Sequence, residues 1–389
     1  MKNPNPDPEK HKDMNNPALE PPLPTNARPW SIESANAWRE RVAWLVGANF
    51  LPSNAVNQLE MWQDDTWSPA VIDRELGWAA GLGMNSMRVF LHDLMWEGDG
   101  SAYLRRIDEF LSIAARHGIG VLVVFFDSCW HPFPRRGTQR PPEPHVHNSG
   151  WLQSPGITVL RDPARFDALE GYVKGVIERF KDDPRIHGWD LWNEPDNANV
   201  GSRGSRDFGE RKAEVVEPLL LRVFEWAHAA RPSQPITSGI WGDGEFKPGT
   251  LTSLQRLQLA LSDVISFHCY HDAEGTLTKV RQLVEYGRPI LCTEYMCRQV
   301  PWATPPGSTF QAILPALQAH GVGAYNWGLV AGKSQTQYPW DSWQQQYDAA
   351  PSPWFHDVLR PDGSAYDEAE VAFLKEFVRT RTRSAKPTL

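Results

Sequence analysis

Asp162-Pro163-Ala164-Arg165-Phe166-Asp167-Ala168-Leu169-Glu170-Gly171-Tyr172-Val173-Lys174-Gly175-Val176-Ile177-Glu178-Arg179-Phe180 runs through Lys181-Asp182-Asp183-Pro184 into Arg185-Ile186-His187-Gly188-Trp189-Asp190-Leu191-Trp192-Asn193-Glu194-Pro195. The first half reads as a helix. Asp162 suits the N-cap and Pro163 the first helical position, where its missing N–H costs nothing. Phe166, Leu169, Val173, Val176, Ile177 and Phe180 then fall at offsets 0, 3, 7, 10, 11 and 14, one continuous face of a 3.6-residue repeat. Asp182-Asp183-Pro184 stops it. The second half, Gly188–Glu194, is apolar on both faces, as a parallel strand buried beneath helices must be.

Working outward, the same unit recurs in both directions. Strand-like runs stand at Trp44–Phe50, Ser86–Leu91, Gly120–Phe126, Gly188–Glu194, Ile236–Trp241, Ile265–Tyr270, Ile290–Tyr295 and Ala324–Leu329, eight in all. Helical patterns separate them. Ser68-Pro69 opens one that carries Ile72, Leu76 and Ala79 and ends at Gly81 or Gly83. Others span Tyr103–His117, Arg206–Ala230, Thr276–Tyr286, Ser308–His320 and Asp367–Arg381, with a weaker one near Thr250–Ala260. Eight alternations predict an α/β fold, a (β/α)8 TIM barrel in one domain. An open doubly wound sheet would need a glycine-rich phosphate loop after its first strand, and Gly47-Ala48-Asn49 is not one. Two loops exceed what the fold requires: Asp127–Arg161 after strand three and Val330–Tyr366 after strand eight. Long loops in a compact domain are usually functional, and both follow strand C-termini, where barrel active sites are built.

Composition narrows the partners. The 389 residues are 41% hydrophobic and 22% charged, which fits a globular chain. A net charge of −8 argues against nucleic acid. No apolar run approaches the roughly 20 residues of a membrane span, so no membrane partner is expected. Residues 1–29 hold eight prolines and few aliphatic residues and are expected to be a disordered tail, leaving 30–389 as the barrel domain. No apolar h-region follows Lys2, so a cytoplasmic location is expected for the chain as numbered, and a secreted or periplasmic one if a leader has been removed. Cys129, Cys269, Cys292 and Cys297 lack paired or zinc spacing and read as free thiols. The 18 tryptophans exceed what cores usually ask for; Trp130, Trp151, Trp241, Trp340 and Trp343 fall in loops or at strand ends, where an indole either packs the loop or stacks on a flat ligand.

Two carboxylates stand out. Trp192-Asn193-Glu194-Pro195 ends strand four and Thr293-Glu294-Tyr295 ends strand seven. They are 100 residues apart, three βα units, which sets them across the barrel mouth from one another. Opposed carboxylates at a common cleft are the equipment for glycoside hydrolysis. Glu194 precedes a proline, which predicts an extended backbone there. A Glu294 anion close by would raise the Glu194 pKa and keep it protonated.

The chain resembles the clan A glycoside hydrolases, most closely glycoside hydrolase family 5, the cellulase and mannanase family. Over about residues 40–330 the matching motifs are Arg88 in Met87-Arg88-Val89-Phe90, Asn193-Glu194-Pro195, His268-Cys269-Tyr270, Thr293-Glu294-Tyr295 and Asn326-Trp327. The resemblance implies a retaining β-glycoside hydrolase acting on β-linked glucan, mannan or related oligo- or polysaccharide. Glu194 would be the acid/base and Glu294 the nucleophile. Arg88 and Tyr270 would hold Glu294, Asn193 would meet the sugar 2-hydroxyl, His268 would bond Glu194 or a sugar hydroxyl, and Trp327 would floor the reacting subsite.

Taken singly, each of these residues also has a plainer reading. Arg88 suits a core ion pair, His268 a satisfied core histidine, and Trp327 simple packing. The chain departs from the family after strand three, where a histidine usually stands near the sugar and this sequence reads Asp127-Ser128-Cys129-Trp130-His131. Either His131 moves into that role or Asp127 replaces it. His147, Trp130, Trp151 and Trp241 complete the candidate sugar contacts. His145-Val146-His147 with His131 and Asp127 also suggests a metal, but a proline-rich loop supplies no fixed geometry; neither metal nor cofactor is expected. Two alternatives stand beside hydrolysis: a transglycosylase on the same substrates, and a barrel that binds carbohydrate without cutting it. The two long loops predict a cleft blocked on one side.

Overall fold

The computed structural model describes residues 25–199, 208–298 and 307–384. Its eight strands are β1 (Val46–Phe50), β2 (Ser86–Phe90), β3 (Gly120–Asp127), β4 (Ile186–Asn193), β5 (Ile236–Thr237), β6 (Ile265–His268), β7 (Ile290–Tyr295) and β8 (Gly323–Asn326). All pair in parallel in the order β5-β4-β3-β2-β1-β8-β7-β6. The ring closes through a bridge from Ile240, just past β5, to Phe267 of β6. This is the (β/α)8 barrel that the alternation predicts.

Among the described residues, helices at Pro69–Gly81, Asp93–Arg116, Glu170–Phe180, Lys212–Ala230, Ser253–Leu261, Ala273–Val284, Phe310–Ala319 and Glu368–Ser384 follow the strands and wrap the barrel. The weak pattern near residue 250 is a real helix, started by a reciprocal capping box between Thr252 and Gln255. Asp93–Arg116 begins ten residues before the expected Tyr103, because His92 caps it and it bends at Asp99. The opening stretch differs in kind: Pro163–Leu169 is a 3₁₀ segment that becomes α-helical only at Glu170, though Asp162 does cap it as predicted. An i, i+3 repeat satisfies both helix types, so spacing alone does not separate them.

The barrel interior is layered. At its N-terminal end the helix Ile32–Arg41 drives Trp38 against Leu45, Leu122, Val264, Leu291 and Tyr325 as an apolar plug. Above the plug the lining turns polar: Ser86 Oγ lies 2.8 Å from Tyr325 Oη, and Thr237 Oγ1 2.8 Å from Ser266 Oγ. Further up, fully buried Arg88 meets Asp190. The core thus holds the rigid frame at one end and leaves the C-terminal end for chemistry. Gly47 permits the close approach of β1 to β2, since a Cβ there would sit 1.6 Å from the Ser86 carbonyl oxygen. Residues 1–24 of the expected tail lie outside the described residues. Before Trp30 the chain is already tied to the barrel: Thr25 and Asn26 both donate to Glu225, and Ala27 is buried. The four cysteines are unpaired and buried.

Candidate active site

Arg88 organises the C-terminal mouth. Its guanidinium is wholly buried and uses its fork on four acceptors: Nε donates to Asp190 Oδ2 (2.9 Å), Nη1 to Asn49 Oδ1 (2.8 Å) and Glu294 Oε1 (3.0 Å), and Nη2 to Asn193 Oδ1 (2.7 Å). One side chain from β2 thereby ties β1, β4 and β7 together at the level of the two glutamates. A buried cation of this kind persists only when each partner is in place.

The two glutamates converge. One carboxylate oxygen of Glu194, one of Glu294 and one ring nitrogen of His268 all lie within 4.8 Å of each other. Their partners differ in charge. Glu294 receives the Arg88 guanidinium on Oε1 and the Tyr270 hydroxyl on Oε2 at 2.8 Å. Glu194 sits 2.8 Å from His268 Nδ1, accepts from Asn197 Nδ2 at 2.7 Å, and meets the Cys129 thiol at 3.3 Å. Burial pushes both carboxyl pKa values up; for Glu294 the Glu194 charge adds to the rise, while His268, the Arg88 charge and the Tyr270 hydroxyl pull against it. Burial also holds His268 neutral, its pKa lowered to about 4. The hydrogen-bond partners of Glu194 are thus neutral, whereas Glu294 has a cation in contact.

Two expectations about Glu194 need correction. The main cause of its raised pKa is burial rather than a neighbouring anion. Its backbone is left-handed, φ 43°, and not extended despite Pro195. A non-glycine residue in that region is strained, and here the turn swings the carboxyl off the strand axis toward His268.

The other predicted residues divide into cleft wall, support and neither. Asn193, His268, Tyr270, Trp327, Trp130, His147, Trp151 and Trp241 line, with both glutamates, a cleft of about 530 Å³. Arg88 lies beneath it. Asp127 is support as well: Oδ1 accepts from the Cys129 N–H, and Oδ2 from Trp151 Nε1 and Asn193 Nδ2. Burial raises the Asp127 pKa to about 7. His131 is in neither group. It is exposed, and its Nδ1 accepts from the Phe133 N–H. The alternative of His131 moving beside the sugar is overturned, because the chain turns outward at Trp130, φ 65°. Cys129 stands beside Glu194 in its place. The loop histidines bond backbone: His145 Nδ1 lies against the Tyr347 carbonyl and His147 Nδ1 against that of Tyr338.

Sequence reading missed Asn197, Asn199, Asp243, His271, Asp341 and Gln344 on the cleft wall, and placed Trp340 and Trp343 only as loop aromatics. Asn197 had one available signal, its position three residues after Glu194 on the same turn. The rest depend on loop paths that no local pattern encodes.

Fold and site together define a (β/α)8 barrel with a paired-carboxylate cleft at its C-terminal face. No family model matches the chain. A 96-residue stretch is 26% identical to mannan endo-1,4-beta-mannosidase F of Aspergillus clavatus, covering 25% of this chain and 20% of that protein. Among solved structures, an exo-beta-1,4-mannosidase from Opitutaceae bacterium strain TAV5 superposes with a TM-score of 0.55 at 19% identity, over 89% of this chain and 61% of that one. The chain therefore spans a fifth of the first protein and about three fifths of the second. GH5_18 from Streptomyces cattleya in complex with Manβ1-4GlcNAc gives 0.56 at 15% identity over 89% and 82% of the two chains. The endo-1,4-beta-D-mannanase of Thermotoga petrophila gives 0.53 at 14% over 87% and 100%. These likenesses establish the shared barrel.

Proposed function

We propose that this chain is a retaining β-glycoside hydrolase of the family 5 kind, acting on β-mannosides. The observation that carries the reading is the asymmetric pair: two carboxylates with one oxygen of each within 4.8 Å of the other, one against a guanidinium and a phenol, the other against neutral donors. Retaining enzymes need a carboxyl separation of about 5–5.5 Å, and inverting enzymes leave room for a water between them. The cleft supports a neutral substrate, since among the described residues its wall carries Glu194, Glu294, Asp243 and Asp341 but no lysine or arginine. Mannoside is favoured over glucoside by the company the fold keeps, as three of the similar proteins are named for mannan or mannosides and the fourth is in complex with Manβ1-4GlcNAc.

The chemistry then follows from the partners. Glu294, held ionised by Arg88 and Tyr270, attacks the anomeric carbon. The bond to the leaving oxygen breaks, and Glu194 gives that oxygen its proton. A glycosyl ester on Glu294 results, and its charge is gone. Water then adds to the anomeric carbon while Glu194, now ionised, takes the water's proton and the ester bond breaks. Two inversions give net retention. Asn193 is locked by Arg88 and Asp127 with its amide at the cleft, where it meets the sugar 2-hydroxyl, and Trp327 floors the reacting sugar.

The test is hydrolysis of β-1,4-linked mannan, glucan and xylan and their short oligosaccharides, run beside Glu294→Gln, with the first-formed anomer read by NMR. Turnover with a β-anomer product, lost in Glu294→Gln, is expected. An α-anomer would overturn the retaining assignment. Turnover that survives Glu294→Gln would remove Glu294 from its role.

A further inference from the structure

The two long loops do more than border the cleft. They are clasped to each other. The Asn148 N–H donates to the Ser334 carbonyl (2.8 Å), the His147 N–H to Ser342 Oγ (2.9 Å), and Gln335 Nε2 to the Glu143 carbonyl (2.7 Å). Above this clasp runs one short turn, Trp340–Trp343. Its first indole stands edge-on against Tyr270 beyond β6, with ring centroids 4.9 Å apart. Its last indole stacks on Trp130 beyond β3, at 5.0 Å and 10°. Phe355 and His356 brace Trp340 from its own loop. The turn is thus a crossbar from one flank of the Glu194–Glu294 pair to the other.

Barrel order fixes which side it closes. From β4 to β7 there are two ways round the ring: through β5 and β6, or through β3, β2, β1 and β8. The clasped loops leave β3 and β8, so they roof the second arc. Among the described residues the crossbar meets the β5–β6 arc at Tyr270, while the loops past β5 and β6 are tied to their neighbours, Trp241 to Asp196 and His271 to Asp243.

Resting on the retaining reading above, we infer that the closed arc holds the glycone, so the enzyme removes sugar from the non-reducing end of its substrate and does not cut within a chain. The order of product release requires this orientation. In double displacement the aglycone departs while the glycone is still esterified to Glu294. An aglycone in the closed arc would be trapped behind a tethered sugar. An aglycone over the β5–β6 arc lies outside the clasp of the two long loops and can leave, and the attacking water enters by the same side. A glycone in the closed arc meets the crossbar and has no room for a further sugar beyond it.

The experiment compares aryl β-mannooligosaccharides that are free or O-benzylated at the non-reducing end, together with a series lengthened at the reducing end. The expected result is a loss of at least 100-fold in kcat/KM on blocking and no loss on lengthening. On polymer, one product size accumulates and viscosity holds. Opening the crossbar with Trp130→Ala/Trp343→Ala is expected to cut the discrimination against blocked substrate at least tenfold. Equal turnover of blocked and free substrates by the wild type, or a ladder of polymer products, overturns the inference and leaves the glycosidase reading standing. No turnover of any β-glycoside overturns that reading, and the inference with it. If the double variant does not fold, the wild-type comparison alone decides.

Discussion

Tyr270→Phe isolates one hydrogen bond in the site. The hydroxyl donates to Glu294 Oε2 at 2.8 Å, and the ring packs edge-on against Trp340 at 4.9 Å. Phenylalanine keeps the ring contact and removes only the donor. A hydrogen bond to an ionised group is worth about 1.5–3 kcal/mol, which at 1.36 kcal/mol per decade corresponds to about 10–150-fold. The sign follows from what the hydroxyl does now. Burial pushes the Glu294 pKa up, and Tyr270 holds it down. Without Tyr270 the proton leaves Glu294 less readily, so the acid limb of kcat/KM moves to higher pH. The loss is therefore greatest on the acid side and narrows as pH rises above the limb. The assay is a pH profile on an activated aryl β-mannoside, with circular dichroism to show the fold intact. Profiles that superpose within about twofold would refute the assignment of Glu294 as an ionised nucleophile supported by Tyr270.

Glu194→Gln removes the acid and is expected to slow hydrolysis of unactivated mannosides by about 10²–10⁴-fold; with a dinitrophenyl leaving group the first step no longer needs the proton, so a burst of phenol followed by slow turnover is the outcome to look for. Asp127 contributes a pH-dependent stability of unusual sign. Its folded pKa is raised to about 7 from the ordinary carboxyl value, so the fold binds the extra proton and stability falls as pH rises from about 4 to 7, by about 1.4 kcal/mol per pH unit at most for this group. Denaturant titrations of Asp127→Asn at pH 5 and pH 8 are expected to show a flatter pH dependence than the wild type. Arg298→Met would strand Glu370, its buried ion-pair partner at 2.6 Å, and release the Trp354 and Asp357 carbonyls. A loss of about 3–5 kcal/mol in chemical unfolding is expected, mostly recovered by adding Glu370→Gln.

The residues legible in the sequence share one property: they lie in or directly beyond strands. Arg88, Asn193, Glu194, His268, Tyr270 and Glu294 are placed by the barrel itself, so strand order already brings them to one mouth. Asp127 was legible as a candidate for the same reason, but its support of Trp151 and Asn193 depends on where a loop 24 residues further on returns. His131 failed for the complementary reason. It lies four residues past Asp127, beyond a left-handed turn at Trp130 whose sign nothing in Ser128-Cys129-Trp130 announces. The left-handed Glu194 shows a local rule losing to context: Pro195 favours an extended neighbour, and the contacts of the Glu194 carboxyl with His268 and Asn197 outweigh it. Strand β5 was legible in place but not in length, because only Ile236 and Thr237 pair regularly before the chain bends to bridge β6 at Ile240.

The crossbar at Trp340–Trp343 also bears on what such a catalyst counts. A site open at both ends meets a new target at every linkage, so its rate on a given mass of polymer is indifferent to chain length. A site stopped at one end meets one target per molecule. Its rate on the same mass rises in proportion to the number of termini, and halving every chain doubles it. The turn would make the chain a consumer of ends, slow on intact polymer and fastest on the fragments that an internal cutter leaves behind.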